Sequence, residues 1–107
     1  MDDGIDPHQL ERAAHCLRTI AHPHRLRMIE MLAVGEKTVG ALARGCDIKS
    51  HVASQHLRLM KDRGLIHSRR DGRRVYYAIA EPGLLPIIQC IANRYRTTVE
   101  GDGEVET

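Results

Sequence analysis

Apolar side chains recur every three to four residues over the first half of the chain, the spacing of amphipathic helices. Asp6–Pro7 predicts the start of the first helix, with a capping residue followed by proline at the first helical position. The His22–Pro23 pair interrupts this helix and begins a second one, which Gly35 ends. Thr38 is the expected cap of a short third helix, without a full capping box because Ala41 stands where Glu or Gln would complete it.

A fourth helix is predicted from about residue 50 to residue 63, after a tight turn at residues 45–48. Its inner face is expected to consist of Ala53, Leu57 and Met60, which share one side of a helix.

The periodicity changes to strict alternation after Gly64, which supplies a left-handed helix stop. Residues 65–70 and 74–79 are predicted strands, and Asp71–Gly72 between them predicts a hairpin turn. A last helix is predicted over residues 84–97. Its apolar residues cover an arc wider than packing within one small domain requires, which indicates a second apolar partner.

Length and composition favour one small domain. The chain has 107 residues with no Trp and no Phe, so aliphatic side chains must build the core. We predict a flexible N-terminus over residues 1–7, one domain over 8–98 and an acidic disordered tail over 99–107. No stretch resembles a membrane span or a signal peptide, so we expect a cytoplasmic protein without a membrane partner. Three cysteines, an odd number, do not indicate a disulfide framework.

A basic block lies inside a chain whose formal net charge is only +2. Residues 44–74 carry nine Lys or Arg against three Asp. This concentration indicates a polyanionic partner, with an ordinary solvated surface as the alternative.

Two short helices joined by a tight turn and followed by a basic hairpin form a winged helix-turn-helix, an arrangement that binds double-stranded DNA. The fold class is therefore α+β, mostly α, with five helices and a β-hairpin wing. Gln and Arg make bidentate contacts with base edges, whereas Ser and His reach bases or phosphates. The predicted DNA-binding residues of the fourth helix are Ser50, His51, Ser54, Gln55 and Arg58, and those of the wing are Arg69, Arg70, Arg73 and Arg74. We interpret His56 as helix packing, and His22 and His24 as capping or surface residues.

The same segments resemble the ArsR/SmtB family of dimeric winged-helix repressors, without obvious gaps from about Leu10 to Tyr95. The matching segments are Ile20–Leu32, Val39–Ala43, Val52–Met60, Gly64–Ile66, Arg69–Arg73 and Val75–Tyr77. The resemblance implies a homodimer built by the first and last helices, a near-palindromic operator, and repression relieved by an effector. One departure is Lys49, where the family often has a capping serine. An alternative is that the cap moves to Ser50, whose hydroxyl would then be unavailable to DNA.

The candidate residues for binding an effector are the cysteines. The resemblance implies metal sites in many members. One such site requires His and Asp on the last helix, but the residues here are Gln89, Cys90, Asn93 and Arg94. Another requires two cysteines on the third helix, which here has one thiol, Cys46. We interpret Cys46 as a packing residue. We assign no certain cofactor, and the identity of any metal ion is unknown. Cys16 and Cys90 are candidates for a redox or thiol-bound effector or a soft metal ion, with packing as the alternative. His15 is expected to lower the pKa of Cys16 or to add a ligand.

No arrangement of residues indicates an enzyme. The chain has no glycine-rich phosphate loop, no His-Glu-x-x-His motif and no nucleophile elbow. Two other hypotheses stay open: a winged-helix module that binds another protein, and a regulator without a small effector. Whether such a regulator represses or activates depends on the position of its operator.

Overall fold

The computed structural model describes residues 4–96, which form five helices and three strands. The helices are α1 (Pro7–Ile20), α2 (Pro23–Leu32), α3 (Val39–Cys46), α4 (Ser50–Asp62) and α5 (Leu84–Tyr95). The strands are β1 (Lys37–Thr38), β2 (Ile66–Asp71) and β3 (Arg74–Ile79). The predicted acidic tail over 99–107 lies outside the described residues. No helix in the described range is both long and apolar enough to cross a membrane.

Local capping chemistry explains where the helices begin. Pro7 is at the first helical position of α1, as predicted, although the Asp6 side chain makes no capping hydrogen bond. His22 caps α2, because its Nδ1 accepts a hydrogen bond from the backbone N–H of His24 at 3.1 Å. Thr38 caps α3 as predicted, accepting from the N–H of Ala41 at 3.2 Å. These bonds satisfy donors that the first turn of a helix leaves free.

The turn between α3 and α4 is made by Asp47, which adopts the left-handed conformation with φ 57° and ψ 48°. Asp is among the few residues other than glycine that tolerate this conformation. Gly45 lies in α3 instead, where a Cβ would collide with the end of the Met31 side chain. The cap of α4 is Lys49, without a side-chain hydrogen bond, and Ser50 is the first helical residue. The alternative that the cap moves to Ser50 is therefore wrong.

The strands form one antiparallel sheet in the order β1-β3-β2. β2 and β3 pair from Ile66 opposite Ile79 to Asp71 opposite Arg74. The hairpin therefore turns at residues 72–73, one position later than predicted, with φ 65° at Gly72. A glycine at the first central position with positive φ is typical of a two-residue type II′ turn. The two-residue strand β1, which pairs with the middle of β3, was not predicted.

The core lies where α2, α3, α4 and the sheet meet. The predicted inner face of α4 is confirmed, since Ala53, Leu57 and Met60 are each 0% exposed. By contrast, α1 and α5 leave large apolar side chains open to solvent in the single chain. The most exposed of them are Leu10 (49%), Leu17 (49%), Leu85 (41%) and Tyr95 (73%). The wide apolar arc predicted on the last helix is therefore not covered within one chain.

Candidate nucleic-acid interface

The outward face of α4 carries all five side chains predicted to contact DNA on this helix. They are exposed because Ala53, Leu57 and Met60, on the opposite side of the helix, are buried against α2, α3 and β2. Gln55 and Arg58 are exposed one turn apart, which places two bidentate hydrogen-bonding groups on one surface. The exposed set is Ser50, His51, Ser54, Gln55 and Arg58. Their contact with DNA stays a prediction.

The tip of the wing carries three exposed arginines, Arg70, Arg73 and Arg74. Within residues 4–96 none of the three forms a hydrogen bond or an ion pair with another side chain. Their guanidinium groups are therefore available to phosphates, which are the groups that arginine forks match.

Arg69 differs from the other wing arginines because it is already bound within the protein. Its Nε and Nη2 donate to the two carboxylate oxygens of Glu36 at 2.8 and 2.7 Å, and its guanidinium lies 4.7 Å from the ring centroid of Tyr76. The hydrogen bond from Arg69 lowers the pKa of Glu36 against an opposing effect of burial, and the charges of Arg69 and His67 lower it further. We call this pair the wing tether. In the free protein the guanidinium of Arg69 is thus engaged by Glu36, and its contact with DNA stays a prediction.

A polar cluster lies beneath the inner edge of α4. The rings of His22, His24 and His56 are stacked at tilted angles, with centroids 4.6–5.7 Å apart. Arg25 donates from Nε to His56 Nδ1 at 3.1 Å and from Nη1 to the carbonyl oxygen of Thr19 at 2.6 Å. We call the two contacts of Arg25 the three-helix clamp, because they join the end of α1, the start of α2 and the middle of α4. His56 does pack, as predicted, but its partner Arg25 was not predicted.

The three cysteines lie in different surroundings, and all three are free thiols. Cys16 is half-buried in a cleft with Glu81 and Leu84, whereas Cys90 is exposed in a separate depression on α5. The chain alone therefore does not bring the two together. Burial, with a further contribution from Glu81, raises the pKa of Cys16. The expectation that His15 lowers that pKa is wrong.

Cys46 packs against the core, as interpreted from the sequence, and its Sγ donates to the carbonyl oxygen of His24 at 3.5 Å. Burial raises its pKa too. In the range 4–96 no group of three or more His, Cys, Asp or Glu is arranged to hold a metal ion.

Comparison with known proteins agrees with this geometry. A family model described as a helix-turn-helix domain matches residues 20–69. The HTH-type transcriptional regulator YgaV of Escherichia coli (strain K12) is 38% identical over 86 residues, which cover 79% of this chain and 87% of that protein. The biofilm growth-associated repressor of Agrobacterium fabrum is 35% identical over 75 residues, or 70% of this chain and 64% of the repressor. These relatives are transcriptional regulators rather than enzymes.

A solved structure shows the same architecture in a dimeric protein. The solution NMR structure of Mb0332 from Mycobacterium bovis is described as a homodimeric winged helix-turn-helix DNA-binding domain and "a possible ArsR-family transcriptional regulator". It superposes on this chain with a TM-score of 0.73 and 27% sequence identity, covering 99% of this chain and 100% of that one. The predicted winged helix-turn-helix fold is thereby confirmed.

Proposed function

Since the chain belongs to the ArsR/SmtB family of winged helix-turn-helix transcriptional regulators, we propose that it represses transcription as a cytoplasmic homodimer bound to a near-palindromic operator. The observation that carries this proposal is the joint exposure of the polar face of α4 and of three unpaired arginines at the wing tip. Base edges would be contacted by Gln55 and Arg58 in the major groove, and phosphates by Arg70, Arg73 and Arg74.

The uncovered apolar faces of α1 and α5 support the homodimer. Leu10 and Leu17 lie on one helix, and Leu85 and Tyr95 on the other, and each is more than two-fifths exposed in the single chain. Pairing with a second copy would remove this surface from water and add to the small aliphatic core. A twofold dimer would present its two α4 helices to successive major grooves, about 34–36 Å apart, and so require a near-palindromic site.

The proposal is tested by gel shifts on the upstream region of the gene itself. Gln55→Ala and Arg58→Ala should each weaken specific binding by about tenfold or more, because a good bidentate base contact contributes about 1–3 kcal/mol. Gln9→Ala and Arg12→Ala remove the same side chains from the exposed surface of α1 and serve as matched controls. Light scattering should show an unchanged dimer for all four variants.

Two outcomes would overturn the proposal. Unchanged operator affinity in both α4 variants would mean that this helix does not contact bases. Binding to a duplex that does not weaken with rising salt would show that the protein makes no phosphate contacts. That result would favour the hypothesis of a module that binds another protein.

We further infer that a thiol-reactive species or a soft metal or metalloid ion acts on the repressor through its cysteines. Cys90 is the exposed thiol, whereas the raised pKa of Cys16 leaves less of its reactive thiolate at neutral pH. Cys90 is therefore the side chain expected to react first. Footprinting with and without an oxidant, a persulfide donor, arsenite and zinc tests this step. Release that is lost in Cys90→Ser supports it, and no response to any agent favours a regulator without a small effector.

A further inference from the structure

We propose that Arg25 is a positioning residue for α4, and that its bond to His56 opens when His56 is protonated, so that operator binding becomes acid-sensitive. The inference rests on the proposed function, because it concerns how the DNA-contacting helix is held. It adds a proton-dependent step that involves neither the cysteines nor the DNA-contacting side chains.

The three-helix clamp holds a residue that is adjacent in the chain to a predicted DNA-contacting residue. His56 follows Gln55 directly in α4, and its half-buried ring points back toward the start of α2. The guanidinium of Arg25 fills the gap with two directed hydrogen bonds, one to His56 and one to the last turn of α1. A change at this bond therefore acts on the rotation of α4 about its axis, and so on the direction of Gln55.

The chemistry of the bond requires neutral His56. Arg25 is always a donor, because guanidinium groups stay protonated in proteins. The Nδ1 of His56 must therefore accept, which places the ring proton of the neutral form on Nε2. Protonation of His56 turns Nδ1 into a second donor facing the first, and it adds a positive charge beside a fixed one. The hydrogen bond is then lost and replaced by repulsion.

Among residues 4–96, no acidic side chain stabilises the charged form of His56. The groups that act on it electrostatically are His22, Arg25 and His24, and all three are bases contributed by the start of α2. From α1 the cluster meets the carbonyl oxygen of Thr19, which Arg25 already occupies. Burial lowers the pKa of His56, and these neighbouring bases lower it further. The native state thus favours neutral His56, and the stability this provides is present above about pH 6.5 and is lost as pH falls toward the lowered value.

The test compares the wild-type protein with His56→Asn, which keeps an acceptor near the position of Nδ1 but does not titrate. At about pH 7.5 the two proteins should bind operator DNA with similar affinity. Between about pH 7.5 and about pH 5.5 the wild type should lose roughly severalfold more specific affinity than the variant, because protonation opens the clamp only where a histidine is present. His8→Asn removes an exposed histidine from α1 and serves as the matched control, with the wild-type pH profile expected.

A second measurement keeps the inference testable if the variant folds poorly or DNA binding fails. Nitrogen-15 NMR of the imidazoles in the wild-type protein should show the Nε2–H tautomer for His56 at neutral pH. Arg25→Lys, which cannot make both hydrogen bonds at once, should shift the His56 resonances and flatten the pH profile of operator binding. An Nδ1–H tautomer, or identical pH profiles for wild type and His56→Asn, would overturn the inference. Absence of operator binding at every pH would instead overturn the proposed function, and leave the tautomer to decide on the clamp.

Discussion

Replacing Glu36 by Gln should strengthen non-specific DNA binding, because it releases Arg69 from the wing tether. The amide of Gln keeps one acceptor oxygen but loses the charge that now holds both the Nε and Nη2 of Arg69. Arg69 would then join Arg70, Arg73 and Arg74 as a free cation at the wing. The fold should tolerate the change, since ion pairs between exposed side chains contribute little to stability.

The magnitude follows from counterion release. Each phosphate that a protein neutralises steepens the slope of log affinity against log salt concentration by about 0.9. One additional contact per protomer therefore steepens the slope by about 1.8 for a dimer bound to both half-sites. The gain should appear equally on operator and on random duplex, so that both affinities rise and the ratio of specific to non-specific affinity stays unchanged.

A salt titration followed by fluorescence anisotropy measures this slope on both duplexes. Glu11→Gln is the matched control, because it removes the same charge from the exposed surface of α1. The double variant Glu36→Gln with Arg69→Ala should return the slope to the wild-type value. Arg69→Ala alone should leave the slope nearly unchanged, since the wild-type guanidinium is already engaged by Glu36.

The result that refutes this reasoning is a shallower slope in Arg69→Ala alone. It would mean that Arg69 leaves Glu36 for a phosphate whenever DNA binds, and that the tether exists only in the free protein. Because Arg69 lowers the pKa of Glu36, the tether should hold across the neutral range and open only as pH falls through that lowered value.

Three further predictions test the fold and the dimer. Leu57→Ala should lower the free energy of unfolding by about 2–5 kcal/mol in urea titrations, because a fully buried leucine leaves a cavity. Thr38→Ala should cost about 1 kcal/mol in the same assay, since the N–H of Ala41 loses its capping partner. Leu17→Glu should shift the protein toward monomer in light scattering. Val34 lies in the loop after α2 and is 83% exposed, so the control variant Val34→Glu should leave the dimer unchanged. A dimer that survives Leu17→Glu would argue against α1 as part of the interface.

Features that depend on residues close together in the chain were predictable from the sequence. Thr38 and Gly64 mark helix ends through their own backbone and side-chain preferences, and the inner face of α4 follows from spacing alone. The turn of the hairpin was misplaced by one residue because Asp71–Gly72 and Gly72–Arg73 both satisfy short-turn preferences. Only the pairing of Asp71 with Arg74 distinguishes them.

Features that join distant segments were not predictable. Arg69 and Glu36 are 33 positions apart, and Arg25 and His56 are 31 apart, so no local pattern relates them. The strand β1 has two residues and no periodicity, and it exists because Lys37 and Thr38 lie opposite Tyr77 and Tyr76. The wing arginines were treated as equivalent for the same reason, since nothing near Arg69 in the sequence shows that a carboxylate reaches it.

Thr38 has a further consequence for how such a regulator changes its operator preference. It is the last residue of β1, hydrogen-bonded into the sheet that bears the wing, and its hydroxyl also begins α3. No linker separates the sheet that bears the wing from α3, the helix against which α4 packs. The main chain and this packing thus set the distance between the wing and the proposed base-contacting helix. Recognition of a new operator sequence should arise through substitution of surface side chains, while the distance between the wing and α4 stays constant. Variants that lengthen the connection around Thr38 should lose DNA binding altogether.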